Sequence, residues 1–293
     1  MKKWNLIVNV GRCENCYNCV ISTRDEYTGN DFPGYTAPAA AAGEAPIRIM
    51  RRVQGAEPMV EATYLPVMCN HCDDAPCMKA GGDAIRRRKD GIVIIDPVKA
   101  KGRRDIVDAC PYEAIVWNEE LQLPQTWIFD AHLLDGGWPH PRCQQSCPTN
   151  VFETVKLDDR AMQKMAEKEG LEVLRPDLRT RPRVWYRGLE RWKACFVGGS
   201  VSEKINGLCE CVTDAQVRLI KEGATIATTL TDGFGDFKFS GLPAFSGVYR
   251  VEVHHPHGEA YAECTLDESV YLGELMLGET PLPPRQSLSE AAK

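Results

Sequence analysis

Cys13-Glu14-Asn15-Cys16-Tyr17-Asn18-Cys19 decides how this chain is read. The Cys-x2-Cys-x2-Cys spacing wraps three thiolates around one [4Fe–4S] cubane but is too short to reach its fourth iron, so a distant ligand is required. A remote cysteine followed by proline meets that need, and two such pairs occur, Cys110-Pro111 and Cys147-Pro148. A second loop, Cys69-x2-Cys72-x4-Cys77, offers three more thiolates. Two triplets and two singles give full ligation of two [4Fe–4S] clusters. Zinc knuckles supply ligands in pairs and fit this pattern poorly. Nothing in the chain points to the oxidising compartment that disulfides need.

The rest of the composition narrows the class. A chain of 293 residues, 43% of them hydrophobic, can build one core or two, which excludes a disordered protein. No stretch approaches the roughly 18 apolar residues of a membrane-spanning helix. A net charge of −6 gives no general attraction to phosphate backbones, so neither nucleic acid nor membrane is an expected partner. Thirteen cysteines are too many for an ordinary cytosolic protein and too few for a disulfide scaffold of this length. The opening Met1–Val10 is basic and then apolar, but the apolar run is broken at Asn9 and lacks a small-residue cleavage site, so it reads as a first strand and not as a signal.

Nine cysteines fall between Cys13 and Cys147, whereas Cys195, Cys209, Cys211 and Cys264 share no ligand spacing. Charge divides at the same place, with 28 basic against 27 acidic residues in 1–195 and 7 against 14 in 196–293. The expected organisation is an iron–sulfur domain over 1–155, a helix and connecting strap over 156–195, a β domain over 196–280 and a flexible tail over 281–293. Asp158-Asp159 can cap a helix that places Met162, Met165 and Ala166 on one face, and Arg175–Arg183 reads as an extended connector. Six β-rich runs follow, Ala215–Lys221, Thr225–Leu230, Asp236–Ser240, Val248–His254, Glu259–Leu266 and Val270–Leu277, with Asp232-Gly233-Phe234-Gly235 expected as a hairpin turn.

Further motifs accompany the cysteine loops: Phe32-Pro33-Gly34-Tyr35-Thr36, Asn70-His71 inside the second loop, Asp90–Pro97, Ala131–Asp135, Arg181–Tyr186, and Phe234–Phe239 in the β region. Together they resemble the small electron-transfer subunit of molybdopterin oxidoreductases of the dimethyl-sulfoxide-reductase group. The Pro-Gly-Tyr-Thr segment and the appended β domain point more narrowly to small subunits of pyrogallol–phloroglucinol transhydroxylases and resorcinol-type hydroxylases.

In the broad family four cysteine motifs make four clusters, exchanging last cysteines between motifs one and four and between two and three. This chain departs from that pattern coherently. One site would need Trp127, Asp130, Cys143 and Thr23, which leaves a single thiolate; one cysteine and one aspartate cannot hold a cubane. Another would need Ala100, Arg103, Ile106 and Gly81, which leaves none. The resemblance then implies two complete sets, Cys13, Cys16 and Cys19 with Cys147, and Cys69, Cys72 and Cys77 with Cys110. Cys143 becomes a leftover buried thiol and Trp127 fills volume that a cluster would have occupied.

Other features have plainer readings. Arg179–Lys193, with Trp185, Tyr186 and Trp192, suits docking to a protein better than binding nucleic acid. Arg86–Lys89 and Arg103-Arg104 read most simply as solvated charges, some offsetting the negative charge of thiolate-bound clusters, with an acidic partner as the alternative. His254-His255-Pro256-His257 sits where a surface hairpin should turn, and His71 and His132 are expected to hydrogen-bond near clusters without catalysing.

The expected fold is α+β: a ferredoxin-like iron–sulfur domain followed by a C-terminal β-sandwich of the carboxypeptidase-regulatory or Cna-B-like type. The resemblance implies a cytoplasmic heterodimer in which this non-catalytic chain transfers electrons, while a large subunit carries molybdenum bis-pterin guanine dinucleotide and acts on polyphenols such as pyrogallol. A resorcinol-type hydroxylase passing electrons to a soluble acceptor, or an assembly subunit with non-transferring clusters, are the alternatives.

Overall fold

Lys3–Asn9 forms the expected first strand, and its central residues Asn5–Val8 are buried on both faces, as a strand flanked on both edges requires. It pairs antiparallel with Phe152–Leu157 and parallel with Val184–Arg187. The second pairing was not legible beforehand, because Arg183-Val184-Trp185-Tyr186-Arg187 continues directly from the proline-broken connector. Between these partners lies the helix Asp159–Glu169. Asp158 caps it by accepting the Ala161 amide at 2.9 Å, and Gly170, at φ 63°, ends it in the left-handed region. Met162 and Ala166 pack with Ile7 and Leu171.

The computed structural model describes residues 1–278, so the tail expected at 281–293 lies outside the described residues. The chain divides into two units. Met1–Met50 and Tyr64–Leu189 make the first; Arg51–Thr63 joins the chain from Glu190 on in the second. The first unit also holds the helix Asn18–Tyr27 and two short antiparallel hairpins, Ile85–Arg87 with Val93–Ile95 and Ile115–Asn118 with Leu123–Thr126. The helices Pro76–Gly81 and Asp105–Asp108 precede the two hairpins. It is an α+β unit with few helices, and its hairpins share an aliphatic cluster of Ala84, Ile85, Val93, Ile95, Ala100, Ile106 and Ile115.

In the second unit from Glu190 on, all six expected strands form, within a residue or two of their expected limits, and two more precede them. Cys195–Ile205 pairs with Leu208–Cys211, Asp236–Leu242 and Val270–Met276 in one four-stranded sheet. Gln216–Lys221 lies between Ala224–Leu230 and Val248–His255 in the other, with Gly258–Thr265 at the far edge. Val197, Phe237 and Leu275 from the first sheet share one core with Val217, Val251 and Ala262 from the second. Gly198-Gly199 hid the long strand from its pattern. There is no room for a side chain there, since a Cβ on Gly198 would come within 2.2 Å of the Met59 sulfur and one on Gly199 within 2.9 Å of Phe237.

Asp232–Gly235 corrects an expectation. The strands on either side of it belong to different sheets, so the segment turns a corner between layers and closes no hairpin. The Asp232 carboxylate accepts the amides of Phe234 and Asp236, both at 2.9 Å, which fixes the corner. The histidine turn does close a hairpin, with His255 opposite Gly258.

Candidate functional site: two thiol sets

The first cysteine loop leaves the strand Lys3–Asn9 through a single 3-10 turn and enters the helix Asn18–Tyr27. Asn15 and Tyr17 both adopt left-handed backbone, at φ 56° and 61°, so the chain curls between successive cysteines. Cys13 lies in electrostatic reach of Cys16 and Cys147, and Cys19 of Cys13, Cys16 and Cys147. Cys147 follows the short helix Arg142–Gln145 and its sulfur accepts the Val151 amide at 3.3 Å. Cys16 is exposed and Cys19 buried, so the set runs from the surface inward.

The second set is more enclosed. Cys69 interacts with Cys77 and Cys110, Cys72 with Cys69 and Cys110, and Cys77 with Cys110 and Cys72. The Cys110 sulfur accepts the Ala114 amide at 3.4 Å. His71, at φ 46° within the loop, accepts the Val93 amide on Nδ1 at 3.1 Å, and burial, with Arg183 nearby, holds its pKa down at about 3.

Burial works against the thiolate in both sets, at Cys13 and Cys19 in the first and at Cys69, Cys72 and Cys77 in the second. Burial first, and the neighbouring thiolates after it, push Cys19, Cys69, Cys72 and Cys77 up to about 12. Within either set the thiols cannot ionise together unless a cation sits among them, and a cationic iron–sulfide core would remove that penalty. Among the described residues no three His, Cys, Asp or Glu side chains close in tightly enough for a single metal ion. The donors in both sets are thiols, which suit a soft-metal group.

Residues to which the sequence reading gave no such role hold the second loop in place. Asn70, Asp73 and Asp74 are tied to the strap by backbone hydrogen bonds: Arg183 N to Asn70 O at 2.8 Å, Asp73 N to Arg181 O at 3.0 Å and Asp74 N to Thr180 O at 2.9 Å. Arg183 is 3% exposed, and its guanidinium donates to Asp73 and, at 2.9 Å, to Asp159. Arg87 donates to the carbonyls of Cys72, at 2.8 Å, and Asp73, while Arg88 pairs with Asp90 and Asp135. The arginine run is thus partly a clamp and not simply solvated; main-chain carbonyls as partners leave no signal in the sequence.

The positions where the broad family would place further ligands have two distinct fates. Ala100 and Ile106 lie fully buried in the aliphatic cluster, and a Cβ on Gly81 would meet Ile85 at 2.6 Å. Arg103 turns to the Ala80 carbonyl at 2.8 Å and to Asp105. Trp127, Asp130, Cys143 and Thr23 are all 0% exposed. Asp130 accepts from Tyr27 Oη, from Trp127 Nε1 at 3.2 Å and from the Arg142 amide at 2.7 Å. Cys143 faces Asp130, Cys19 and Cys147, and burial raises its pKa well above the ordinary thiol value. Thr23 donates to the Cys19 carbonyl at 2.8 Å.

A family model described as a 4Fe-4S dicluster domain matches residues 60–157. The chain is 39% identical over 282 residues to the pyrogallol hydroxytransferase small subunit of Pelobacter acidigallici, covering 94% of this chain and 100% of that protein. It is 28% identical over 193 residues to a subunit of the tetrathionate reductase of Salmonella typhimurium, covering 64% of this chain and 73% of that protein. Among solved structures, the minor pilin GBS52 of Streptococcus agalactiae overlaps 36% of this chain and 52% of its own, at 18% identity and a TM-score of 0.24, too little to support a fold assignment.

Proposed function

This chain belongs to the family of the pyrogallol hydroxytransferase small subunit, and from that premise we propose that it is the electron-transfer subunit of a molybdopterin enzyme that transhydroxylates polyphenols such as pyrogallol. It is an iron–sulfur electron-transfer subunit, homologous to small subunits of molybdopterin oxidoreductases, and its relatives imply a large catalytic partner. The finer reading is a cytoplasmic heterodimer whose partner holds molybdenum bis-pterin guanine dinucleotide. No helix among the described residues is long and apolar enough to cross a membrane. The two units are read as a ferredoxin-like domain and a β-sandwich of the Cna-B-like or carboxypeptidase-regulatory type.

One observation supports the cluster assignment: Cys13, Cys16, Cys19 and Cys147 lie in electrostatic reach of one another, as do Cys69, Cys72, Cys77 and Cys110, while the ninth thiol, Cys143, also faces Cys19 and Cys147 but is fully buried against Asp130. Each set would hold one [4Fe–4S] cluster, which supplies one-electron chemistry when bound. The surrounding residues position those thiols. The left-handed turns at Asn15 and Tyr17 curl the first loop, the strap and Arg87 fix the second, and the Val151 and Ala114 amides donate to the two single cysteines. Such N–H···S bonds favour the thiolate.

Iron and acid-labile sulfide analysis of the purified chain tests the count. About eight of each per chain is expected, and about twelve, three cubanes' worth, would sink the two-cluster reading. The reaction is tested on the purified complex under anaerobic conditions. A transhydroxylase needs no added electron acceptor, because hydroxyl transfer between phenols has no net electron flow. Turnover that requires an acceptor, one equivalent reduced per phenol hydroxylated, would favour the resorcinol-type hydroxylase.

A further inference from the structure

We propose that the cavity beside the strap is a binding site for a small planar two-electron carrier bearing an anionic group, of the flavin mononucleotide or sulfonated quinone kind, which exchanges electrons with the site of Cys69, Cys72, Cys77 and Cys110. The redox half of this proposal rests on the reading that those thiols hold a cluster. The cavity measures about 440 Å³, and its walls include Met162, Arg179, Thr180, Arg181, Arg183 and Trp185. Its size is that of a ligand pocket.

Its far wall is the second cysteine loop's own support. Thr180 is 3% exposed, lies 2.6 Å from Tyr112 Oη through its hydroxyl, and is a hydrogen-bonding neighbour of the Cys72 thiol. One buried side chain therefore separates the cavity from a cluster ligand. The residues on either side of Thr180, Arg179 and Arg181, are both held in left-handed backbone, at φ 52° and 48°. Non-glycine residues persist there only where surrounding structure imposes it. Here the imposed turn holds Thr180 inward while Arg179 stays exposed.

The charges of the lining are unequally used. Arg175 pairs with Asp177, Arg181 with Asp74, and Arg183 with Asp73 and Asp159. Arg179 has no side-chain partner among the described residues, which leaves a guanidinium for a phosphate or sulfonate. Met162, Val173 and Trp185 supply apolar and aromatic surface for a ring, and the Trp185 indole N–H is a buried donor without a partner. The exchange balances: two electrons, one from each cluster site, and two protons from solvent convert an oxidised isoalloxazine or quinone to its hydroquinone, and the reverse loads the clusters.

The test is equilibrium dialysis of the oxidised, cluster-containing full chain, under anaerobic conditions, against flavin mononucleotide and separately against anthraquinone-2,6-disulfonate. Saturable one-to-one binding is expected; binding of flavin alone assigns a phosphorylated carrier, and binding of the anthraquinone alone a sulfonate-like quinone. Arg179→Gly removes the guanidinium while suiting the left-handed backbone, and Gln163→Trp fills the cavity from the helix. Each should weaken binding at least tenfold with iron content unchanged, and should slow reoxidation of the reduced chain by subsaturating probe to the same degree. Binding of neither probe, or affinity unchanged in both variants, overturns the proposal. Loss of binding in the complex with the large subunit overturns it too, by showing that the partner covers the cavity. Probe binding to a chain that holds no iron would instead defeat the cluster reading, and with it the electron exchange, while leaving the cavity a ligand site.

Discussion

Asp130→Asn probes the buried network where the broad family would place a cluster ligand. The carboxylate is 0% exposed and accepts three hydrogen bonds, two on Oδ1 from Tyr27 and Trp127 and one on Oδ2 from the Arg142 amide. The amide keeps an oxygen for the first two but must turn an NH2 toward the Arg142 N–H, so one buried hydrogen bond becomes a donor facing a donor. The expected cost is about 1–3 kcal/mol. Burial is the foremost influence on Asp130 and lifts its pKa above the ordinary 3.8, against the lowering hydrogen bonds and the neighbouring His132. A carboxyl raised in the folded state holds its proton more tightly there than in the unfolded chain. Its stabilising contribution is therefore complete below about pH 3.8 and declines as pH rises through the folded value, by at most about 1.4 kcal/mol per pH unit. The variant has no such group. The wild-type advantage, measured as the difference in urea midpoint between the two cluster-containing proteins, should be largest in acid and shrink toward neutral pH. An advantage that grows with pH would mean that the hydrogen bonds outweigh burial and that Asp130 is held as an anion, and the reasoning would fail.

Three further substitutions separate the elements of the site. Cys147→Ser should cut bound iron from about eight to about four per chain, while Cys143→Ser leaves it unchanged; iron loss from the latter would reassign the fourth ligand. Gly81→Ala drives a methyl to within 2.6 Å of the buried Ile85 side chain and should cost about 1–3 kcal/mol of stability without altering iron content, read by thermal melting. Arg183→Ala strips Asp73 of its best partner, and because Lys3 still reaches Asp73 at 3.3 Å the loss should sit near the lower end, about 3 kcal/mol, of what breaking a buried pair costs. A neutral melt for Arg183→Ala would show that the strap is held by its backbone bonds alone.

The cysteine loops stood out in the sequence because spacing is local: intervals of two and four residues bring the thiols of one loop together whatever the rest of the chain does. The helix at Asp159–Glu169 and six strands of the second unit were legible for a similar reason, since caps, turns and alternation act within one element. What escaped was set by partners distant in sequence. Val184–Arg187 becomes a strand because Lys3–Asn9 offers it an edge, and Arg87 becomes a clamp because the Cys72 carbonyl lies 2.8 Å away. Cys195–Ile205 escaped because its glycines make room for Met59 and Phe237 instead of contributing side chains of their own.

The two groups of residues at positions where the broad family would place further ligands are packed without a hole, in two different ways. Around Gly81, Ala100 and Ile106 the space is closed by aliphatic side chains, which satisfy burial without any hydrogen bonding and tolerate no added methyl. Around Asp130 the same requirement is met with polar groups. An indole, a phenol and a backbone amide all point at one carboxylate, so no donor of that trio is left unpaired in a region from which water is excluded. The aliphatic solution is indifferent to pH. The polar one places a titratable group beside Cys143, which itself faces Cys19 and Cys147, and so leaves the first thiol set next to a charge that proton uptake can remove.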